Sequence, residues 1–521
     1  MAVEGGGMLT RLKVNGFKNL VDVDVYFGPF TCVAGVNAVG KSNLFDAIHF
    51  LSALADRPLI DAALSVRAES GRTTDVRSIF HRIGDDYADE MSFVAEMIVP
   101  QEGLDDLGQK AKATSTFLQY SMTIAYRKDD DDLNSLGSLE LKKEELVRIL
   151  MKEAPKKLHF PQKKEWRDSV VKAEWKRKPP FISTEGDGAN RVIKLHQDGT
   201  GGQALKRSAG TLPRTVLSAA TAAESPTALL ARREMQSWRL LQLEPSSLRE
   251  PDGFRAPTKL GMDGSHLAAT LYHLARRGNS KETSSGSGIQ TGGAENGSQI
   301  YGQIALRLSG LIDDVYEVWV DRDEKRELLT LYVNDRAKTP HPARALSDGT
   351  LRFLALAILE LNPETEGLLC LEEPENGIHP QRIPAMLKLL EDIAVAADLP
   401  VGTDNPLRQV IVNTHSPAVV AQVHPDDLLV AELKEDNRSG KRFKKVCFSC
   451  LSDTWRASIP GASIVPKGRL LSYLFVGAAE PEDREDVAIK DHGATGPKRR
   501  RVIDRDDLRQ LRLSFPMKVA E

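Results

Sequence analysis

Cysteine is scarce in this chain, with four residues among 521. So few in so long a chain exclude a disulfide scaffold. Cys32 and Cys370 sit inside apolar runs and read as small buried hydrophobes. Cys447 and Cys450 have half the spacing of a zinc site, but no second Cys/His pair lies near them, and the alternating VCFSCL around them fits a strand. Long apolar runs are missing too. No stretch approaches the ~18 uninterrupted apolar residues of a membrane-spanning helix, and MAVEGGGMLTRL lacks the basic-then-apolar pattern of a secretory signal. Aromatic residues make up only 6%. Neither sign of charge dominates: 70 Lys+Arg face 73 Asp+Glu, a net −3, which excludes a histone-like polycation. The 41% hydrophobic and 27% charged residues that remain suit a reduced, cytoplasmic, soluble protein. The length suggests about two to four domains.

Against this plain background one motif stands out. Residues 9–27 read as two short strands, and the apolar run FTCVAG follows them. It leads into Gly35-Val-Asn-Ala-Val-Gly40-Lys41-Ser42, a match to GxxxxGK[ST]. Leu44, Ile48 and Leu51 then recur at helical spacing, so strand, glycine loop and helix come in the order a phosphate-binding loop needs. Glycines let the backbone wrap a phosphate, and the helix directs its positive end at the same anion. Lys41 is placed to reach the β/γ-phosphates, and the Ser42 hydroxyl suits Mg²⁺. The candidate ATP-binding residues are Gly35, Asn37, Gly40, Lys41, Ser42 and Asn43.

Far downstream, Gly367-Leu-Leu-Cys-Leu371 fits a buried parallel strand and ends in Glu372-Glu373. Glu372 is expected to hold the metal through its water shell, and Glu373 to polarise a water for attack on the γ-phosphate. Two acids after an apolar run are common, so the weight of this pair comes from the phosphate loop. Leu346-Ser-Asp-Gly-Thr-Leu-Arg352 opens a helical run with Ser347 as N-cap, offering a hydroxyl and a dipole to an anion, or simply a capping turn. Val410-Ile-Val-Asn-Thr-His415-Ser-Pro417 is a strand that delivers a histidine, either a structural hydrogen-bonder or a phosphate sensor.

Other stretches are less specific. FVAEMIV and LQYSMTIAY read as further strands. Residues 141–180 carry 13 Lys+Arg against 6 Asp+Glu, a local +7 that leaves −10 for the rest. Phe160, Trp166 and Trp175 are interleaved with these cations. The stretch could meet nucleic acid through lysine–phosphate contacts and tryptophan stacking, or it could be a solvated face whose tryptophans enter the core. Residues 218–248 look largely helical, interrupted at Pro226 and ending near Pro245, and residues 279–299 read as a Gly/Ser-rich flexible loop. The run Lys498–Arg501 reads as an ordinary basic tail.

The phosphate loop, LSDGTLR, LLCLEEPE and VNTHSP, in that order, resemble the ABC-type ATPase heads of RecF, SMC and the overcoming-lysogenization-defect (OLD) proteins. RLKVNGFKNL, LQLEPSSLREP and DGSHLAATLYHL add to the likeness, which covers residues 8–100 and about 235–420. The resemblance implies an α/β fold: a P-loop NTPase of ABC-ATPase type, with a split head and a mixed α/β insert. It implies ATP and Mg²⁺ as cofactors and a head-to-head dimer closing on ATP. In that dimer Ser347, Gly349 and Arg352 would act in trans, and His415 would read the γ-phosphate. Asn376 to Pro380 match the loop joining the two sites, while the family's glutamine-bearing loop has no assigned position here. The expected parts are the head's N-terminal portion at 8–130, a basic insert at 131–235, the head's C-terminal portion at 236–430 and an extension at 431–521.

Gly35 and Leu346 are 311 positions apart with no sustained heptads between them, which favours a compact DNA-repair or phage-defence ATPase over a transporter or an SMC arm. OLD-like relatives append a Toprim nuclease whose mark is a strand ending in Glu-Gly, and residues 418–521 contain none, so a nuclease in this chain is not expected. The nearest likeness is to Septu-type (PtuA-like) single-chain defence ATPases, which work with a separate nuclease. The expected partners are a second copy of the chain, an effector nuclease and DNA. An ATP-sensing scaffold of low turnover is the alternative.

Overall fold

The computed structural model describes residues 6–66, 75–128, 137–173, 180–198, 203–280, 295–310, 312, 314–438, 440–466, 468, 470 and 501–504. Trp175, residues 281–294 of the Gly/Ser-rich stretch and Lys498–Arg500 lie outside them.

Two large sheets organise the described residues. The first has eight strands, all antiparallel: 205–208, 192–195, 182–185, 138–148, 117–127, 90–98, 8–15 and 23–26, in that spatial order. Apolar and polar residues alternate in several of these strands, as in Val23–Tyr26, where Val23 and Val25 face the core and Asp24 faces water. The second has seven strands. Arg239–Leu241, Gly367–Glu372, Arg408–Thr414, Phe30–Ala34 and Leu428–Arg438 run parallel, and Lys441–Cys450 and Ser463–Ile464 complete the edge. Phe30–Ala34 and Arg408–Thr414 are buried throughout, because helices or the other sheet cover both faces. The helices Asp348–Leu361 and Ile383–Ile393 contribute to one of the resulting cores. Phe17, Phe50 and Phe93, with ring centroids 5.6–5.8 Å apart, stand in the core beside the antiparallel sheet.

Two buried polar residues at the start of the histidine strand explain how the layers join. The Gln409 amide donates to the carbonyls of Leu9 (2.8 Å) and Gly28 (2.9 Å) and accepts from the Leu9 N–H (2.9 Å), tying the strand to the first sheet. Arg408 donates to the carbonyls of Glu360 and Asn362, both at 2.8 Å, and so caps the C-terminal end of Asp348–Leu361.

Two expectations need correction. Residues 218–248 are not one interrupted helix. Pro226 and Pro245 each occupy the first turn of a helix, Pro226–Ser237 and Pro245–Arg249, where the missing N–H costs nothing, and the strand Arg239–Leu241 runs between them. Of the two readings of the basic stretch, Trp166 follows the one in which tryptophans enter the core: it is 0% exposed and packs edge-on against Phe160 at 5.4 Å. Two lysines of the stretch pair within the chain, Lys157 with the buried Glu96 and Lys142 with Glu140. The domain boundary expected at 130 falls within a continuous sheet, since 138–148 pairs with 117–127, and that at 430 falls inside the strand Leu428–Arg438. Among the described residues no helix is long and apolar enough to cross a membrane.

Candidate active site

The strand Phe30–Ala34 runs into the glycine loop, and the helix Lys41–Leu54 leaves it, as the spacing predicts. Gly40 is the helix N-cap at φ 106, a backbone conformation that favours glycine. Val36, Asn37 and Ala38 are exposed at the tip, whereas Lys41 is only 5% exposed. Its ammonium donates to the carbonyls of Gly35 (2.7 Å) and Val36 (3.0 Å). Burial lowers the Lys41 pKa, and Glu373, Glu375 and Glu372 pull it back up. Ser42 is half-buried beside it.

The acids stand on the strand Gly367–Glu372, with the histidine strand Arg408–Thr414 lying between it and the strand that feeds the loop. This order brings the predicted catalytic pair together. Glu373 adopts φ 45, a left-handed conformation that costs a non-glycine residue on the order of 1 kcal/mol. Its N–H is held there by Asn413, through the side-chain oxygen at 3.0 Å and the carbonyl at 3.1 Å. One carboxylate oxygen of Glu373 accepts from the Asn376 amide at 3.0 Å, and the other meets Nδ1 of His415 at 2.7 Å. Burial works to raise the Glu373 pKa, but these two partners and the charge of Lys41 hold it below its ordinary value.

Glu375 is different in kind. It is buried, accepts from the Thr414 hydroxyl, and is pushed up in pKa by desolvation. Thr414 in turn accepts from the Ser416 N–H at 2.9 Å, which shapes the turn that presents His415.

Sequence reasoning missed Gln242. It directly follows Arg239–Leu241, the parallel neighbour of the acidic strand, and its amide donates to the Glu372 carboxylate at 2.7 Å. The signal was present in RLLQ followed by Pro245, but it was hidden inside an expected helix. Asn413, Thr414 and Glu375 were missed as well. Their roles depend on which strand lies beside which.

At the LSDGTLR turn, Ser347 caps Asp348–Leu361 by accepting from the Thr350 N–H at 3.2 Å, and Ser347 and Asp348 are exposed. Gly349 packs on the ENGIHP loop so closely that a Cβ would lie 2.3 Å from the Gly377 carbonyl oxygen. Arg352 is engaged within the chain. Its Nε donates to the Leu243 carbonyl at 3.0 Å and its Nη1 to the Asn376 carbonyl, so it spans the neighbour of Gln242 and the partner of Glu373.

Parallel strands, a glycine loop between strand and helix, and paired acids on a nearby strand decide the fold class. The fold is that of a P-loop NTPase.

Comparison with known proteins agrees in its coarse outline. Residues 176–421 match the family described as "AAA domain, putative AbiEii toxin, Type IV TA system", a stretch that includes Gln242, Ser347, Glu372, Glu373 and His415 but not the phosphate loop. A DNA replication and repair protein RecF from Parabacteroides distasonis is 46% identical over 46 residues, covering 9% of this chain and 13% of RecF. The match therefore spans about an eighth of that relative's length. Among solved structures, an SMC head bound to the C-winged helix domain of ScpA shares 14% identity at TM-score 0.41, covering 85% of this chain and 98% of that one. The SMC head domain from Thermotoga maritima shares 11% at TM-score 0.35, covering 85% and 99%. The AAA family match agrees with the P-loop fold class.

The resemblance implies Mg²⁺ at this site. Among the described residues no group of three or more His, Cys, Asp or Glu could hold a metal by itself. The charge of Glu372 reaches Lys41, and this carboxylate with the Ser42 hydroxyl would suit an ion that keeps water and phosphate oxygens as its other ligands.

Proposed function

We propose that this P-loop NTPase hydrolyses ATP. Lys41 and the loop amides receive the β- and γ-phosphates, and the N-terminal end of Lys41–Leu54 adds its dipole. Ser42 and Glu372 would hold Mg²⁺, with Gln242 orienting the carboxylate. The metal, when bound, neutralises charge on the phosphate oxygens. Glu373 takes the proton of the attacking water, and its lowered pKa keeps it ionised at neutral pH for that task. His415, 2.7 Å from Glu373, orients it and faces the transferred phosphate.

The observation that carries this reading is the hold on Glu373. Asn376 and His415 hold the Glu373 carboxylate while Asn413 holds its strained backbone N–H, and the charge of this carboxylate reaches Lys41 of the phosphate loop. Glu373→Gln should lower ATP turnover at least ~100-fold while ATP still binds; hydrolysis at the wild-type rate would sink the assignment.

The exposed Ser347 and Asp348 support a second proposal, that two copies close head to head on ATP with the LSDGTLR turn of one completing the site of the other. We further propose that the cycle drives a DNA-repair or Septu-type anti-phage process, with a separate effector nuclease as partner. Light scattering of the Glu373→Gln chain tests the closure. The mass should double with ATP and Mg²⁺, and a monomer under all nucleotide conditions would rule it out.

A further inference from the structure

The connection 16–22 between strands 8–15 and 23–26 belongs to the antiparallel sheet, yet it grips the phosphate loop. Asn19 uses both ends of one amide for this. Its Nδ2 donates to the Val39 carbonyl at 3.1 Å, and its Oδ1 accepts from the Asn43 amide at 2.8 Å. These contacts lie on either side of Gly40-Lys41, and the amide rests on Gly40 itself. A Cβ at position 40 would lie 2.4 Å from the Asn19 nitrogen. Gly40 is therefore required twice, for its positive φ and for the space that Asn19 fills.

The turn is itself well anchored. Lys18 adopts φ 47, and its ammonium pairs at 2.7 Å with Asp46 in the helix after the loop. Its N–H donates to the Ile79 carbonyl at 2.9 Å, and its carbonyl meets His81 Nδ1 at 2.6 Å. The Asn19 carbonyl accepts from the Val446 N–H at 3.2 Å, which links the turn to the C-terminal strand Lys441–Cys450. Phe17 is fully buried beneath it.

We infer that Asn19 is a positioning residue for the phosphate loop: it fixes the Val39 carbonyl and the Asn43 side chain, and so holds the Gly40–Lys41 segment in the shape that receives a triphosphate. The inference rests on the ATP reading above. It also makes the shape of the nucleotide loop depend on the antiparallel sheet and on the C-terminal hairpin.

The test uses the full chain, a fluorescent ATP analogue and steady-state hydrolysis. Asn19→Ala should raise both the analogue Kd and the KM for ATP about tenfold, as expected for two neutral hydrogen bonds, with kcat changing less than about threefold. Asn19→Asp keeps the size and the bond to Asn43 but sets a carboxylate against the Val39 carbonyl and the incoming phosphate, so it should weaken binding more than alanine does. A merely structural role predicts the reverse order, with the nucleotide-free unfolding temperature falling in step. Should Asn19→Ala fail to fold, Asn43→Ala removes one of the two bonds and should raise KM about threefold. Unchanged KM in the variants, with wild-type protein that binds ATP, overturns the positioning role alone. Wild-type protein that binds no ATP overturns the ATP reading and this inference with it.

Discussion

Glu144, in the antiparallel sheet, and Glu373, at the carboxyl end of the parallel one, carry the same group under opposite conditions. Glu144 is completely buried, and its carboxylate accepts from the N–H groups of Val216 (2.7 Å) and Leu217 (2.8 Å) and from the Tyr120 hydroxyl (3.1 Å). Desolvation pushes its pKa up to about 7. Two of its donors are backbone groups that cannot turn away without unfolding the segment. Glu373 is only partly buried, its side chain is held by an amide and an imidazole that can rotate, and its pKa is lowered. Fixed donors in dry surroundings make an anchor. Rotatable donors at a wet strand end make a group that can exchange partners with water and phosphate.

The largest effect expected from breaking the anchor is on stability. Glu144→Ala strands two buried N–H groups and the Tyr120 hydroxyl, at a cost of about 3 kcal/mol. Urea unfolding would show it, while KM for ATP should stay within about twofold. A shifted KM with unchanged stability would reverse the contrast drawn between the two glutamates.

The pH dependence sharpens the same point. Glu234, also buried and accepting from Trp238 Nε1 at 2.9 Å, is raised by desolvation to about 8. Both anchors have folded pKa values above the ordinary 4.5. Below that value both states are protonated and nothing changes. As pH rises past it the unfolded chain ionises first, so stability falls up to about pH 7 for Glu144 and about pH 8 for Glu234. The slope is about 1.4 kcal/mol per pH unit for each group. Unfolding midpoints between pH 6 and pH 8 should decline, and a flat profile would show that the backbone donors keep these carboxylates ionised.

A smaller effect is expected at the site. Gln242→Ala removes only an orienting bond to Glu372, so the Mg²⁺ concentration needed for half-maximal ATP turnover should rise about tenfold. Stability should not change. Mg²⁺ titration of the variant checks this, and an unaltered curve would detach Gln242 from the metal site.

The basic stretch shows why local reading has limits. Its charge count is correct, but a count cannot say that Lys157 faces Glu96 or that Trp166 is enclosed with Phe160. Those outcomes depend on segments distant in the chain: Glu96 lies on the strand 90–98, and the small core around Trp166 includes Val395 and Leu407. The misplaced helix at 218–248 is of the same kind. A proline read as a breaker is a starter when the preceding chain already turns, and RLL becomes a strand because Gly367–Glu372 is there to pair with it.

By itself the sequence determined what short-range chemistry dictates. The glycine loop between strand and helix, the acids at the end of an apolar run, the serine cap of Asp348–Leu361 and the histidine after VIVNT were all legible, because each is set by residues within one turn or one strand. Only the tertiary structure decided which of these groups meet. The order of the parallel strands puts Asn413 beside Glu373 and Gln242 beside Glu372, and the packing of one sheet on the other puts Asn19 on Gly40. Such contacts join residues from 21 to 130 positions apart in the sequence. No local pattern specifies them, because their geometry arises only when separate hydrophobic faces are buried against one another.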